Sequence, residues 1–167
     1  MSKKHKVFIS FQHEDIKIKE KMERMFSKHF DIMDSRAVST GDIDPNLNND
    51  HILKIIRDKY LLDSSVTLVL IGENTYKSKF VDWEIHASLK DRGQIGRSGL
   101  LGIFIPGITN GCKNNKNLIP ARLGDNIKFG YASCHEWTED PNQLQEWIHE
   151  AFKARTKQPK NSRPFWK

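Results

Sequence analysis

Within Lys79–Asp91, KFVDWEIHASLKD, one acid falls on the apolar side of a helix. At about 100° per residue, Phe80, Val81, Trp83, Ile85, Ala87 and Leu89 sweep one broad arc, and Asp82, His86 and Lys90 form the opposite, wet face. Glu84 lies inside the apolar arc, between Phe80 and Val81, with Ser88 beside it. A carboxylate facing a core is costly unless it is paired, hydrogen-bonded or neutralised. Two explanations stand at this point. Either a backbone amide or an arginine such as Arg36 or Arg57 satisfies it, or it belongs to a functional site.

The residues that the chain can bring to Glu84 define the chemistry on offer. They are the aromatics Phe11, Phe80 and Trp83 and the polar groups Ser10, Gln12, His13 and Asp34. Such a set suits a ring-bearing ligand that contains a sugar. A carboxylate hydrogen-bonds ribose hydroxyls and stabilises an oxocarbenium-like transition state as a glycosidic bond breaks. The N-glycosidic bond of a nicotinamide nucleotide is one such bond, and nicotinamide leaves as a neutral molecule without a metal. Other chemistries lack their residues. No G-x-G-x-x-G follows the first strand, and no G-x-x-x-x-G-K-[ST], H-E-x-x-H or G-x-S-x-G occurs. The first strand ends in Ser10, Phe11 and Gln12, with Glu14 and Asp15 one step later, so a paired-acid pocket is weakly supported.

The elements that must position these residues alternate. Lys6–Phe11 reads as a buried strand, Ile18–His29 as a helix and Phe30–Met33 as a second short strand. A long polar loop, Ser35–Asn49, follows, and its position suggests substrate gating or self-association. Asn49 or Asp50 caps a helix carrying Ile52, Ile55, Ile56 and Tyr60. Val66–Ile71 is nearly all apolar, as a strand covered on both faces must be. Gly72 ends it, and Ser78 caps the Glu84 helix. Leu100–Ile105 is another covered strand, Thr109–Asp125 reads as loop, and a weaker strand lies within Ile127–His135. Asp140–Pro141 opens a final helix. Alternation of this kind predicts an α/β fold, a flavodoxin-like three-layer sandwich whose five-stranded, mostly parallel sheet runs in the order 2-1-3-4-5. Ligands in such sheets sit beyond the carboxyl ends of strands 1 and 3. That rule gathers Phe11–His13, the loop after Asp34 and Gly72–Phe80 around one crevice.

Bulk properties narrow the class. A chain of 167 residues is one domain with room for a core, and its mean hydropathy of −0.63 excludes a membrane-embedded protein. The start, MSKKHKVFISF, runs into a strand without a signal peptide's longer apolar region, which predicts a cytoplasmic protein. Cys112 and Cys134 form no metal or disulfide framework, and a reducing compartment argues against a lone pairing. The net charge of +6 is local. Lys153, Arg155, Lys157, Lys160, Arg163 and Lys167 carry it, and without them 21 basic and 21 acidic residues remain. The reading is a domain over 1–154 and a basic, solvated tail over 155–167, with no nucleic-acid or membrane partner.

Taken together, VFISF, SSVTLVLIGENTYKSKFVDWEIHASL and LLGIFIP resemble the TIR-like domains of bacterial Thoeris antiphage systems. The likeness extends over nearly the whole chain, including the NSRPFW ending. It implies a TIR fold and cleavage of NAD as substrate, with no cofactor and no metal. It also implies a cyclic or modified ADP-ribose signal that activates a separate effector protein. On this resemblance Glu84 matches the catalytic glutamate, and Phe80 stands four residues earlier where the family often has Trp. Ser10, Phe11, Gln12 and Asp34 with its loop match the substrate-binding edge, and Phe80 and Trp83 are the candidate substrate-binding aromatics beside it. Gln12 and His13 depart from the basic residues that animal relatives carry there. The alternative is a non-catalytic TIR-like module for protein interaction or nucleotide sensing.

Overall fold

The computed structural model describes residues 5–28, 31–32, 38–94 and 96–166. Its strands are β1 (Lys6–Ser10), β2 (Asp31–Ile32), β3 (Val66–Ile71), β4 (Gly99–Phe104) and β5 (Ala132–His135). The helices are α1 (Ile16–Phe26), α2 (Asn49–Ile56), α3 (Lys79–Ser88), α4 (Gly111–Asn114), α5 (Ala121–Phe129) and α6 (Pro141–Ala154). All neighbouring strands are parallel, in the order β2-β1-β3-β4-β5. Four longer strands make the body of the sheet, and β2 adds two residues beside β1. The α/β class and the parallel sheet agree with the sequence reading.

Strand alternation decides which side chains can meet. On β1, Val7 and Ile9 join a core formed with Met22 and Phe26 of α1 and Leu144, Ile148 and Ala151 of α6. Phe8 points the other way, into a core with Ile52, Leu53 and Ile56 of α2 and Trp83 and Ala87 of α3. Val69 and Ile71 of β3 pack on that second side with Val81 and Ile85 of α3 and Leu123 of α5. Ser10, two residues after Phe8, therefore faces α3. Thr67 of β3 does likewise, and its hydroxyl meets that of Ser88 at 2.7 Å.

Local signals hold at several element ends. The Ser78 hydroxyl accepts from Val81 N–H, and the Asp140 carboxylate accepts from Asn142 N–H ahead of Pro141. The cap of α2 is Asn48 rather than Asn49 or Asp50, its side chain accepting from His51 N–H at 2.8 Å. Four expectations need correction. The stretch 109–125 is not all loop, because α4, a 3-10 turn and the start of α5 occupy it, and Ile127–Phe129 completes α5 before β5 begins. The wet face assigned to Asp82 and His86 is buried, since α5 and the segment after α6 cover it. That segment keeps most of its side chains exposed, as a solvated tail would, but its backbone is docked. Asn126 exchanges two hydrogen bonds with Lys160, and Arg122 donates to the carbonyls of Arg163 and Pro164. Finally, Cys112 and Cys134 form a disulfide that ties α4 to β5, where the sequence reading leaves them unpaired. Parallel pairing of β5 beside β4 brings the two Cα atoms within 5.9 Å, a separation the sequence does not encode locally.

Candidate functional site

Glu84 has no solvent exposure, and its two carboxylate oxygens have different partners. The Ser10 hydroxyl donates to Oε1 at 2.6 Å, and the backbone N–H of Val38 donates to Oε2 at 2.9 Å. Among the described residues no basic group pairs with it, and Arg57 in particular does not. Burial therefore acts with little opposition. It raises the Glu84 pKa to about 7, against the two hydrogen bonds, which favour the charged form. The bland alternative is met in its first form, because a backbone amide does satisfy the acid.

Beside this acid lies a cleft of about 800 Å³ at the carboxyl ends of β1 and β3. Phe11, Gln12 and His13 line it from the end of β1, and Val38, Ser39 and Thr40 from the long loop. Lys77, Ser78, Lys79 and Phe80 contribute from the start of α3, Ile16 and Lys19 from α1, and Trp166 from the segment after α6. Among the described residues the lining holds three lysines, one of them (Lys19) paired with Glu23, and no carboxylate, which favours an anionic ligand.

The sequence-predicted residues separate into three groups. Phe11, Gln12 and Phe80 line the cleft. Glu84 and Ser10 lie one layer behind it, linked to the wall through Val38 and through Phe11, the neighbour of Ser10. Trp83 is fully buried, stacked on Phe165 with ring centres 5.3 Å apart and touched edge-on by Phe80. Asp34, like Arg36, lies outside the described residues. Glu84 does not open onto the cleft. Val38 closes over the acid, its backbone N–H satisfying an oxygen that would otherwise be buried without a donor.

Sequence reasoning missed several participants. Val38 acts through its backbone, which leaves no side-chain signal. Asp82 and Arg122 form a buried ion pair, with Arg122 Nε 3.0 Å from Oδ1. An acid at position 82 on the presumed wet face was the available clue. His86, read as a surface residue, is buried beside Phe165, and desolvation lowers its pKa to about 4. Asp15 packs against Gly72, and burial, helped by Glu14 and Glu73, raises its pKa to about 6. Among the described residues no group of three or more His, Cys, Asp or Glu is placed to hold a metal ion. Nor is any described helix long and apolar enough to cross a membrane.

No curated protein matches the chain. A family model does. The TIR-like domain of Thoeris protein ThsB matches residues 8–110, from β1 through the Glu84 helix to the turn beyond β4. The chain therefore belongs to the Thoeris ThsB TIR-like domain family.

Proposed function

We propose that this chain is an NAD-cleaving TIR-like enzyme of antiphage defence, built on a flavodoxin-like sheet, with Glu84 as its essential carboxylate. The observation that carries the reading is a buried acid with no basic partner among the described residues, set directly behind a lysine-lined cleft. A purely structural position at this depth is better filled by an apolar residue, since a buried carboxylate with hydrogen bonds but no cationic partner destabilises the fold when charged.

The reaction asks little of the protein beyond positioning and charge. Cleavage breaks the bond between ribose C1′ and the pyridinium nitrogen, whose electron pair returns to the ring as neutral nicotinamide leaves. Positive charge develops at C1′ and the ring oxygen, and the Glu84 carboxylate stabilises it. Water then adds at C1′ and loses a proton, giving ADP-ribose. Attack by a nucleophile within the ADP-ribose itself gives a cyclic signal instead, which a separate effector protein reads. Ribose hydroxyls replace Val38 N–H on Oε2 as the substrate seats, so the loop carrying Val38 is the gate. Phe11 and Phe80 flank the ligand, Gln12 offers polar contacts, and Ser10 holds the carboxylate in place. NAD is the substrate and no further cofactor takes part. The setting is the cytoplasm, with self-association as a further means of control.

One observation favours a second reading. Glu84 is sealed in this structure, as suits a nucleotide-sensing module that binds in the cleft without turnover. Incubation with NAD separates the two, using purified protein and lysate of phage-challenged cells that express it. Nicotinamide and ADP-ribose products are followed by chromatography and mass spectrometry beside Glu84→Gln. The enzyme reading expects nicotinamide release that the variant abolishes. No NAD loss in either setting, with defence retained by the variant, overturns it.

A further inference from the structure

The segment that follows α6 is held by groups the fold had to bury in order to hold it. Arg122 is 1% exposed and uses all five of its N–H donors. Two go to the Asp82 carboxylate; the other three go to Asn161 Oδ1 and to the carbonyls of Arg163 and Pro164. Trp83 donates its indole N–H to the carbonyl of Trp166, and Phe165 stacks on the Trp83 ring. Apart from the side chains of Asn161 and Arg163, held by Arg122 and Asp125, these anchors act on the backbone of 163–166 or on the ring of Phe165. None of these hydrogen bonds uses the indole of Trp166, which remains 42% exposed and lines the cleft.

Exposed apolar surface of this size, on a backbone so firmly fixed, is a preformed contact surface. Among the described lining residues the phenyl rings are Phe11 and Phe80, and Lys77 and Lys79 stand beside them with no carboxylate. Aromatic faces beside ammonium groups match a ligand that carries both a planar ring and phosphate. We propose that Trp166, outside the residues 8–110 that the family model covers, is a ligand-binding residue whose indole stacks on a base ring of the nucleotide. The proposal rests on the nucleotide reading of the cleft and adds to it a wall supplied from beyond α6.

The test measures binding by calorimetric titration of the full chain with NAD, AMP and nicotinamide mononucleotide. Wild type is compared with Trp166→Ala and Trp166→Phe, and nicotinamide release is assayed in parallel. Loss of one stacked base weakens binding about tenfold or more. Trp166→Ala should therefore weaken NAD and at least one mononucleotide by that factor, and Trp166→Phe should recover most of it. Because the carbonyl that anchors position 166 survives both changes, the fold is expected to survive as well, and circular dichroism checks this. Undiminished binding by Trp166→Ala overturns the proposal, as does failure of Trp166→Phe to rescue or absence of binding by wild type. Trp166-dependent binding without nicotinamide release keeps it and sinks the enzyme reading instead. Release with a KM that Trp166→Ala leaves unchanged does the reverse.

Discussion

Replacing Glu84 by Gln isolates the energetic consequence of the buried acid. In the fold its carboxyl has a midpoint of about 7, against 4.5 in the unfolded chain. A raised midpoint means that the folded state prefers the protonated form. The stabilisation is present in full below pH 4.5 and is lost as pH rises through the window from 4.5 to about 7. At about 1.4 kcal/mol per pH unit, the whole span is worth about 3 kcal/mol. Glutamine removes this dependence and keeps both contacts. Its oxygen accepts from Val38 N–H while its amide donates to the Ser10 hydroxyl, the reverse of the Ser10 bond to Glu84. Urea unfolding of both proteins from pH 4.5 to 8.5 measures the difference, in which Asp15, His86 and His135 cancel because both proteins contain them. The stability of Glu84→Gln relative to wild type should rise across the window by about 3 kcal/mol, then level off above neutrality. A difference that stays flat to within about 0.5 kcal/mol would refute the reasoning, since a desolvated carboxylate cannot escape this linkage.

Three further outcomes follow from the packing. Arg122→Met leaves the Asp82 carboxylate buried and unpaired, which should cost about 3–5 kcal/mol in urea unfolding. Adding Asp82→Asn should recover part of that loss, and hydrogen exchange should show residues 163–166 released in both variants. Reducing the Cys112–Cys134 bond frees a loop closed over 22 positions, so thermal unfolding with reductant should show a loss on the order of 3 kcal/mol. Gly99→Ala would drive a methyl group into the Ala151 carbonyl, where α6 crosses β4. The backbone has to shift, and a loss of about 1–3 kcal/mol in urea unfolding is expected.

Sequence alone determined the α/β alternation, the caps at Ser78 and Asp140, and the apolar strands at Val66–Ile71 and, one residue displaced, at Gly99–Phe104, because each rests on short-range periodicity or a local hydrogen bond. The same periodicity exposed Glu84 as an acid on an apolar arc, and the strand-end rule brought Phe11, Gln12 and Phe80 to one cleft. What the helical wheel could not decide was which elements cover a face. Asp82 and His86 have polar side chains and read as wet, yet the long-range approach of α5 and of residues 160–166 buries them. Trp83 was drawn behind the wall by Phe165, and Trp166 was brought to the mouth of the cleft, across more than 80 positions of chain. Only tertiary structure set the state of Glu84 itself. Its position on the helix follows from 3.6 residues per turn, but its raised pKa follows from burial under elements distant in sequence, offset in part by a serine 74 positions away and a backbone amide 46 positions away. Hydrogen bonds and desolvation depend on distance in space, and a local pattern carries no measure of that.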